Sequence, residues 1–144
     1  MTVLAIDTAS RRRVVCVLAE PGGLLVRAIA EEDVDVDRSL PPAIQSLLSD
    51  AVSEIAVVVG PGSYTGIRTG MAAALGIAHA RGLPLFGVTS LVPVCLAARE
   101  VGAQQGWALA DAGRGAVYAM RFDGAGGFAG WLGSRPASTW AAPA

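Results

Sequence analysis

The chain has 144 residues, of which 53% are hydrophobic and 16% charged, and its formal net charge is −1. This composition predicts a folded, core-rich protein, and it offers no basic surface for gripping a nucleic-acid backbone. No apolar run approaches the roughly 20 residues of a membrane span, and the first apolar run is too short for a signal peptide. We therefore expect a cytoplasmic protein without membrane contact.

The residue types exclude several chemistries. All 11 basic residues are arginine, whereas a Walker A loop and a Schiff-base enzyme both need a lysine. His79 is the sole histidine and no cysteine cluster accompanies it, so the three or four ligands of a zinc peptidase are missing. Cys16 and Cys95 each lie in an apolar stretch and are predicted to be small buried residues. We expect no metal site.

The first hundred residues predict a three-strand meander followed by alternating helices and strands. Ser39 is predicted to cap the first helix, with Pro41 or Pro42 in its first turn, after a solvated acidic loop over residues 31–37. Gly82 ends the second helix. The order β-β-β-α-β-α-β-α is typical of a ribonuclease H-like, or actin-like, α/β lobe with right-handed crossovers. Strands are predicted over residues 3–6, 14–19, 24–30, 55–59 and 85–88, and helices over residues 39–50, 67–81 and 90–100.

The segment that follows repeats the beginning of this lobe. Residues 107–111 resemble residues 4–7, because an apolar strand again ends in an aspartate, Asp111 in place of Asp7. Two further strands are predicted over residues 117–122 and 128–132.

We therefore divide the chain into an N-terminal lobe, residues 1–103, and an incomplete second lobe, residues 104–144, which consists of strands and a C-terminal tail. A meander of this size cannot bury both of its faces alone. We expect it to pack on the first lobe or on another chain.

A glycine-rich loop, residues 60–66, joins strand 55–59 to the second helix. Strand, glycine loop and helix bring backbone N–H groups to one point, where they can bind a phosphate. In actin-like ATPases and sugar kinases an aspartate at the end of the first strand orients a metal-bound water. Alternatively, Ser63 or Thr65 caps the helix and Asp7 bonds the N–H groups of its own turn. Both interpretations stay open, and the possible vestigial nucleotide site comprises Asp7, Thr8, Ser10, Gly60, Gly62, Ser63 and Asp111.

The second helix carries a stripe of small residues at spacing i, i+3, i+4 and i+7. These residues are Gly70, Ala73, Ala74 and Ile77. Such a stripe lets another helix approach closely, although ordinary packing on the sheet would produce the same pattern. Met71, Leu75 and Ala78 contribute a second apolar face, and a helix with two apolar faces is buried on both sides or meets a partner. We favour a protein interface.

Four motifs resemble the TsaB family, also called YeaZ. They are LAIDTAS, GPGSYTGIRTGMAAALGIA, PLFGVTSL and DAGRGAVYAMRF, which occur in that order between about residues 2 and 123. The second motif is the most specific of the four. Their order and spacing make the resemblance strong.

The resemblance implies an actin-like fold and a supporting role in forming N6-threonylcarbamoyladenosine (t6A) in tRNA. In this family the catalytic paralogue TsaD transfers the threonylcarbamoyl group and the ATPase TsaE joins the pair. ATP and metal are thus expected on these partners, and this chain is expected to have no catalytic residue and no intrinsic cofactor. The isolated chain is expected to form a homodimer, and tRNA is expected to be reached only through the complex. The residues expected at the contact with TsaD or a second copy are Leu40, Ile44, Leu47, Arg68, Gly70, Ala73, Ala74 and Ile77.

The chain departs from the family pattern at two points. Family members often carry a histidine where this chain has Asp35, and they complete the second lobe, whereas the match here fades after Phe122. An alternative hypothesis is an autonomous actin-like nucleotide-binding enzyme, either an ATPase or a small-molecule kinase, in which Asp7 would position a metal-bound water. The missing glycine beside Asp7, the lack of lysine and the incomplete second lobe argue against this alternative.

Overall fold

The structure is a computed structural model that describes residues 1–20 and 22–123 and the backbone of residues 134–136. It divides into two compact units, Met1–Val88 and Thr89–Ala144. The strands of the first unit are β1 (Thr2–Asp7), β2 (Arg13–Glu20), β3 (Leu24–Glu32), β4 (Val52–Gly60) and β5 (Leu85–Thr89). They form one sheet in the order β3-β2-β1-β4-β5.

The sheet is mixed, with β1 at its centre. Strand β1 pairs antiparallel with β2 and β2 pairs antiparallel with β3, whereas β1 and β4 are parallel. Side chains alternate between the two faces of a strand, so Leu4 and Ile6 of β1 and Val14 and Cys16 of β2 point to the same side and are buried there. The element order predicted for the first hundred residues is confirmed.

Helix α1 (Val36–Leu47) begins three residues before its predicted start. Asp35, not Ser39, occupies the N-cap, and its side chain accepts a hydrogen bond from the N–H of Asp37. The earlier start places Pro41 and Pro42 beyond the first turn of the helix. The predicted acidic loop is also shorter, because residues 31–32 extend β3 and residues 36–37 belong to α1. Asp35 is the cap because its side chain accepts a hydrogen bond from the N–H of the second helical residue, whereas Ser39 lies inside the first turn.

Helix α2 (Tyr64–Arg81) packs on β4 and on the end of β1. Its N-cap is Ser63, whose side chain accepts from the N–H of Gly66, and its C-cap is Gly82 at a φ of 64°. Both caps agree with the sequence prediction. The first three helical residues were predicted as loop, because glycine-rich sequence disfavours a helix in the absence of tertiary contacts.

The second unit contains α3 (Leu91–Glu100) and the antiparallel strands β6 (Gly106–Gly113), β7 (Ala116–Phe122) and β8 (Ser134–Pro136) in the order β6-β7-β8. Leu91 and Cys95 of α3 pack against Ala108, Met120 and Phe122. Helix α3 was predicted to end the N-terminal lobe, but this packing places it in the second unit. The strand predicted over residues 128–132 lies outside the described residues.

The predicted repeat is visible in the turn that follows each unit's first strand. Asp7 accepts a hydrogen bond from the N–H of Ala9 at 2.8 Å, and Asp111 accepts one from the N–H of Gly113 at 2.7 Å. Each aspartate also stands opposite a valine of the next strand, Val15 and Val117 respectively. The two hairpins therefore share turn chemistry as well as strand pattern. In the described part of the chain no helix is long and apolar enough to cross a membrane.

Candidate protein interface

The glycine-rich loop packs directly on the turn that follows β1. The backbone N–H of Ser63 donates to the carbonyl oxygen of Ala9 at 2.6 Å. One helical turn later, the hydroxyl of Thr8, which is fully buried, donates to the carbonyl oxygen of Gly66 at 2.7 Å. The start of α2 is thus hydrogen-bonded to β1 through two consecutive residues of that turn.

Three glycines spaced four residues apart make this approach possible. A Cβ atom on Gly62 would overlap the carbonyl oxygen of Ala9, one on Gly66 would overlap the carbonyl oxygen of Thr8, and one on Gly70 would overlap the hydroxyl of Thr8. The glycines therefore serve close packing between a helix and a strand end.

These contacts use groups of the loop that a bound phosphate would need. The N–H of Ser63 is used by Ala9, the N–H of Gly66 by the Ser63 side chain, and the space before Gly62 by the β1 turn itself. Asp7 accepts from the N–H of Ala9 and lies 3.8 Å from the guanidinium of Arg13. Two of the N–H groups at the start of α2 and the space before Gly62 are therefore already occupied, which favours the alternative interpretation of a tight, capped connection.

The other residues assigned to the vestigial site make local contacts or are exposed. Gly60, at a φ of 101°, lies against the side chain of Ile67, and Ser10 is exposed in the β1–β2 turn. Asp111 belongs to the second unit and bonds its own turn. Within the residues that the structure describes, no three acidic, histidine or cysteine side chains are grouped to hold a metal ion.

A groove runs between α1 and α2, and polar contacts hold the two helices together at both of its ends. At one end the hydroxyl of Thr69 donates to a carboxylate oxygen of Asp37 at 2.9 Å. At the other end Arg81 donates to the carbonyl oxygen of Ser49 at 2.8 Å and lies 4.0 Å from Asp50. The groove between them has a volume of about 440 Å³ and almost entirely apolar walls. Its lining residues are Leu40, Pro41, Ile44, Gln45, Leu48, Ala72, Ala73, Gly76 and Ile77.

The residues predicted for an interface occupy three different places. Four of them line the groove, namely Leu40, Ile44, Ala73 and Ile77. Leu40 and Ile44 are themselves 1% and 7% exposed, so they form its buried floor. Leu47, Gly70 and Ala74 are buried beneath it, because Leu47 and Ala74 face the core of the sheet and Gly70 faces Thr8. Arg68 is exposed away from the groove, where its guanidinium lies over the ring of Tyr64.

Sequence reasoning missed the exposed lining of the groove, above all Ala72 and Gly76. Gly76 is exposed, and a Cβ atom placed there would meet nothing within 4 Å. A glycine inside a helix costs stability. Gly76 follows Ala72 by four residues, so both lie on one face of the helix. This spacing was the signal in the sequence for a second small-residue surface.

Comparison with known proteins assigns the chain to a family. A family model described as TsaD, tRNA N6-adenosine threonylcarbamoyltransferase, matches residues 33–128. The solved structure of YeaZ from Pseudomonas aeruginosa is 30% identical with a TM-score of 0.78, covering 94% of this chain and 67% of that one. The chain belongs to the TsaB (YeaZ) family. The α/β fold predicted from the sequence is confirmed by this match.

Two further relatives show how much of a longer protein the chain matches. The tRNA threonylcarbamoyladenosine biosynthesis protein TsaB of Bacillus subtilis is 33% identical over 124 residues, which are 82% of this chain and 53% of that protein. An uncharacterized protein of Mycobacterium tuberculosis is 42% identical over 104 residues, 62% of this chain and 46% of that protein. The chain thus spans about half the length of these two relatives.

Proposed function

We propose that the chain is a non-catalytic partner subunit in the biosynthesis of t6A in tRNA, and that it binds the catalytic paralogue TsaD through the groove between α1 and α2. Family membership supports the pathway, since the Bacillus subtilis relative is named for t6A biosynthesis. The observation that carries the proposed role is the groove itself, an apolar surface left open between two helices whose ends are fixed by polar contacts.

The shape of the groove suits a partner helix. Ala72, Ala73 and Gly76 present almost no side chain on the α2 side, Leu40 and Ile44 are buried at the floor, and Pro41, Gln45 and Leu48 border the α1 side. Large side chains of a partner can enter between such rows, as ridges enter grooves between packed helices. We propose that a second copy of the chain uses the same groove in a homodimer, and that TsaE and tRNA meet the chain only in the complex with TsaD.

The proposed absence of catalysis follows from the way the glycine loop is used. The N–H of Ser63 is taken by Ala9, the N–H of Gly66 by the Ser63 side chain, and the space beside Gly62 by the β1 turn. ATP and metal are accordingly assigned to the partner subunits. Calorimetry with ATP and magnesium distinguishes the alternative: the proposal expects no binding by the isolated chain, and micromolar binding would favour an autonomous nucleotide enzyme.

The t6A content of tRNA tests the proposed role. In cells depleted of the native copy, nucleosides from digested tRNA are quantified by mass spectrometry after expression of the wild type, Gly76→Ala or Gly76→Arg. We expect wild type and Gly76→Ala to restore t6A and Gly76→Arg to fail, because arginine fills the groove from an exposed position. Unchanged t6A after depletion would refute the role, and full rescue by Gly76→Arg would refute the groove.

A further inference from the structure

The hairpin of β6 and β7 repeats the hairpin of β1 and β2 residue for residue. When Asp111 is placed on Asp7, five consecutive cross-strand pairs coincide without a gap, back to the pairs of Val3 and Trp107. The third strands follow the same pattern, since β3 and β8 each pair antiparallel with the second strand of their sheet. Strand β6 is therefore the counterpart of β1.

The two counterparts differ in how many neighbours they have. Strand β1 lies between β2 and the parallel strand β4, which places Ile55 beside Leu4 and Val57 beside Ile6. Strand β6 lies at the edge of its sheet, so in the described part of the second unit the position that β4 fills beside β1 is open. The outward N–H and C=O groups of an edge strand are a template on which another strand can pair.

The edge of β6 lacks the features that usually prevent such pairing. From Gly106 to Ala110 the strand carries no charged side chain, and Trp107 and Leu109 are each 46% exposed. Strand β3, at the edge of the first sheet, carries an arginine and two adjacent glutamates, and its pairing with β2 contains a register shift. Charges and bulges of this kind protect an edge. The first sheet thus has a protected edge at β3, whereas β6 presents an apolar one.

We propose that β6 accepts along this edge a parallel strand of a separate polypeptide, apolar on both faces as β4 is. In the register of β1 and β4, the inward side chains of that strand lie beside Ala108 and Ala110, the counterparts of Leu4 and Ile6. The two alanines leave room for large β-branched side chains. Helix α3 already packs on Ala108, so these side chains extend an existing core. Backbone pairing provides the attachment and the side chains provide the selectivity.

The family contains polypeptide of the required kind. The Bacillus subtilis relative is matched over 53% of its length, so nearly half of that protein lies outside the match. A second copy of the chain is a poorer occupant, because its own β4 is already held between β1 and β5 and the edge at its β3 is charged. The inference goes beyond the proposed function and does not depend on the groove or on TsaD.

Disulfide trapping on the full chain tests the proposal, with a synthetic peptide of the β4 sequence, residues 52–60, as the incoming strand. Neighbouring strands lie about 4.8 Å apart, within the Cα separation that a disulfide spans. Because Ala56 pairs with Ala5, the counterpart of Leu109, the chain with Leu109→Cys should trap the peptide with Ala56→Cys. In a glutathione redox buffer we expect at least ten times the yield of the matched variant Leu25→Cys, which replaces an exposed leucine on the charged edge.

A second pair of positions reports the direction of the trapped strand. Parallel pairing in this register places Trp107→Cys beside Glu54→Cys, whereas antiparallel pairing about the same centre places it beside Val58→Cys. We expect the first combination to exceed the second at least tenfold. The two native cysteines are buried, so the wild-type chain should trap neither peptide.

Hydrogen exchange of the unmodified chain with the unmodified peptide gives a reading that needs no substitution. Millimolar peptide should slow exchange at the amides of β6 and leave those of β3 unchanged. Absence of both protection and trapping would overturn the inference, as would equal trapping at positions 25 and 109 or preference for Val58→Cys over Glu54→Cys. Disulfide-linked dimers of Leu109→Cys that form in preference to the peptide adduct would make a second copy the occupant and would equally refute it.

Discussion

The hydroxyl of Thr8 donates a hydrogen bond to the carbonyl oxygen of Gly66 at 2.7 Å, across 58 residues of sequence. This bond joins the two most characteristic motifs of the chain, the turn after β1 and the glycine-rich loop before α2. It gives both motifs a structural role that needs no phosphate. The turn holds α2 on the sheet, and α2 forms one wall of the groove.

Replacing Thr8 with valine tests this bond. Valine keeps the shape of threonine but cannot donate, so the carbonyl of Gly66 loses the bond from the hydroxyl and meets a methyl group in its place. We expect the free energy of unfolding to fall by about 1–3 kcal/mol. Urea denaturation followed by circular dichroism measures the change. Thr69→Val is the matched control, since its bond to Asp37 is exposed and should contribute less than about 1 kcal/mol. Equal losses in both variants would contradict the account.

Two glycines of α2 should respond in opposite directions to alanine. Gly70→Ala places a methyl group on the Thr8 hydroxyl and should destabilise the fold by about 1–3 kcal/mol. Gly76→Ala meets open space and should stabilise it by about 0.5–1 kcal/mol, because alanine loses less backbone entropy in a helix. Thermal and urea unfolding of both variants check the signs. A stabilising Gly70→Ala would show that α2 does not need its close contact with β1.

The cap of α1 provides a third comparison. Asp35→Ala removes the side chain that accepts from the N–H of Asp37 and should cost about 1 kcal/mol of stability. Ser39→Ala, within the helix, should change stability by no more than about 0.5 kcal/mol. If urea unfolding gave the larger loss for Ser39→Ala, the helix start at Val36 would be wrong.

Alkaline pH should destabilise the protein through Cys16. Burial, followed by the negative charges of Glu31 and Asp7, raises the pKa of its thiol from 9.0 to about 11. The thiol of the folded chain thus stays neutral where that of the unfolded chain ionises, so its contribution to stability is complete below about pH 9 and is lost as the pH rises through about 11. The whole difference corresponds to roughly 2–3 kcal/mol.

The measurement is the free energy of unfolding at a series of pH values from 8 to 11, for the wild type and for Cys16→Ala. The variant starts from a lower stability because of the cavity it creates, but the decline with pH should be shallower than in the wild type. Parallel curves for the two proteins would show that the Cys16 thiol does not stay neutral in the fold.

The sequence was most informative where local signals and tertiary structure agree. The period-two pattern of β1 and β2 and the caps Ser63 and Gly82 predicted elements that the structure contains. The start of α1 was missed because Asp35 and Ser39 are both good caps, and only the path of the chain after β3 decides between them. Such a choice depends on contacts that no local pattern records.

The site was less predictable than the fold. One small-residue stripe contains Gly70 and Ala74, which the sheet and Thr8 cover, and Ala73 and Ile77, which remain open to the groove. Around the helix axis Gly70 and Ile77 lie within a quarter of a turn of each other. Sequence spacing alone therefore cannot distinguish the buried face of the helix from the exposed one. Gly76 could be recognised as part of the groove only once the packing of α2 on the sheet showed that this glycine is exposed.

The affinity of the purified chain for purified TsaD from the same organism is the most direct test of the groove. Biolayer interferometry compares wild type, Gly76→Ala and Gly76→Arg, all three checked for folding by circular dichroism. The account predicts similar Kd values for wild type and Gly76→Ala and at least a hundredfold weaker binding for Gly76→Arg, whose charge would be buried in an apolar contact. Binding of Gly76→Arg with the wild-type Kd would show that TsaD does not occupy the groove between α1 and α2.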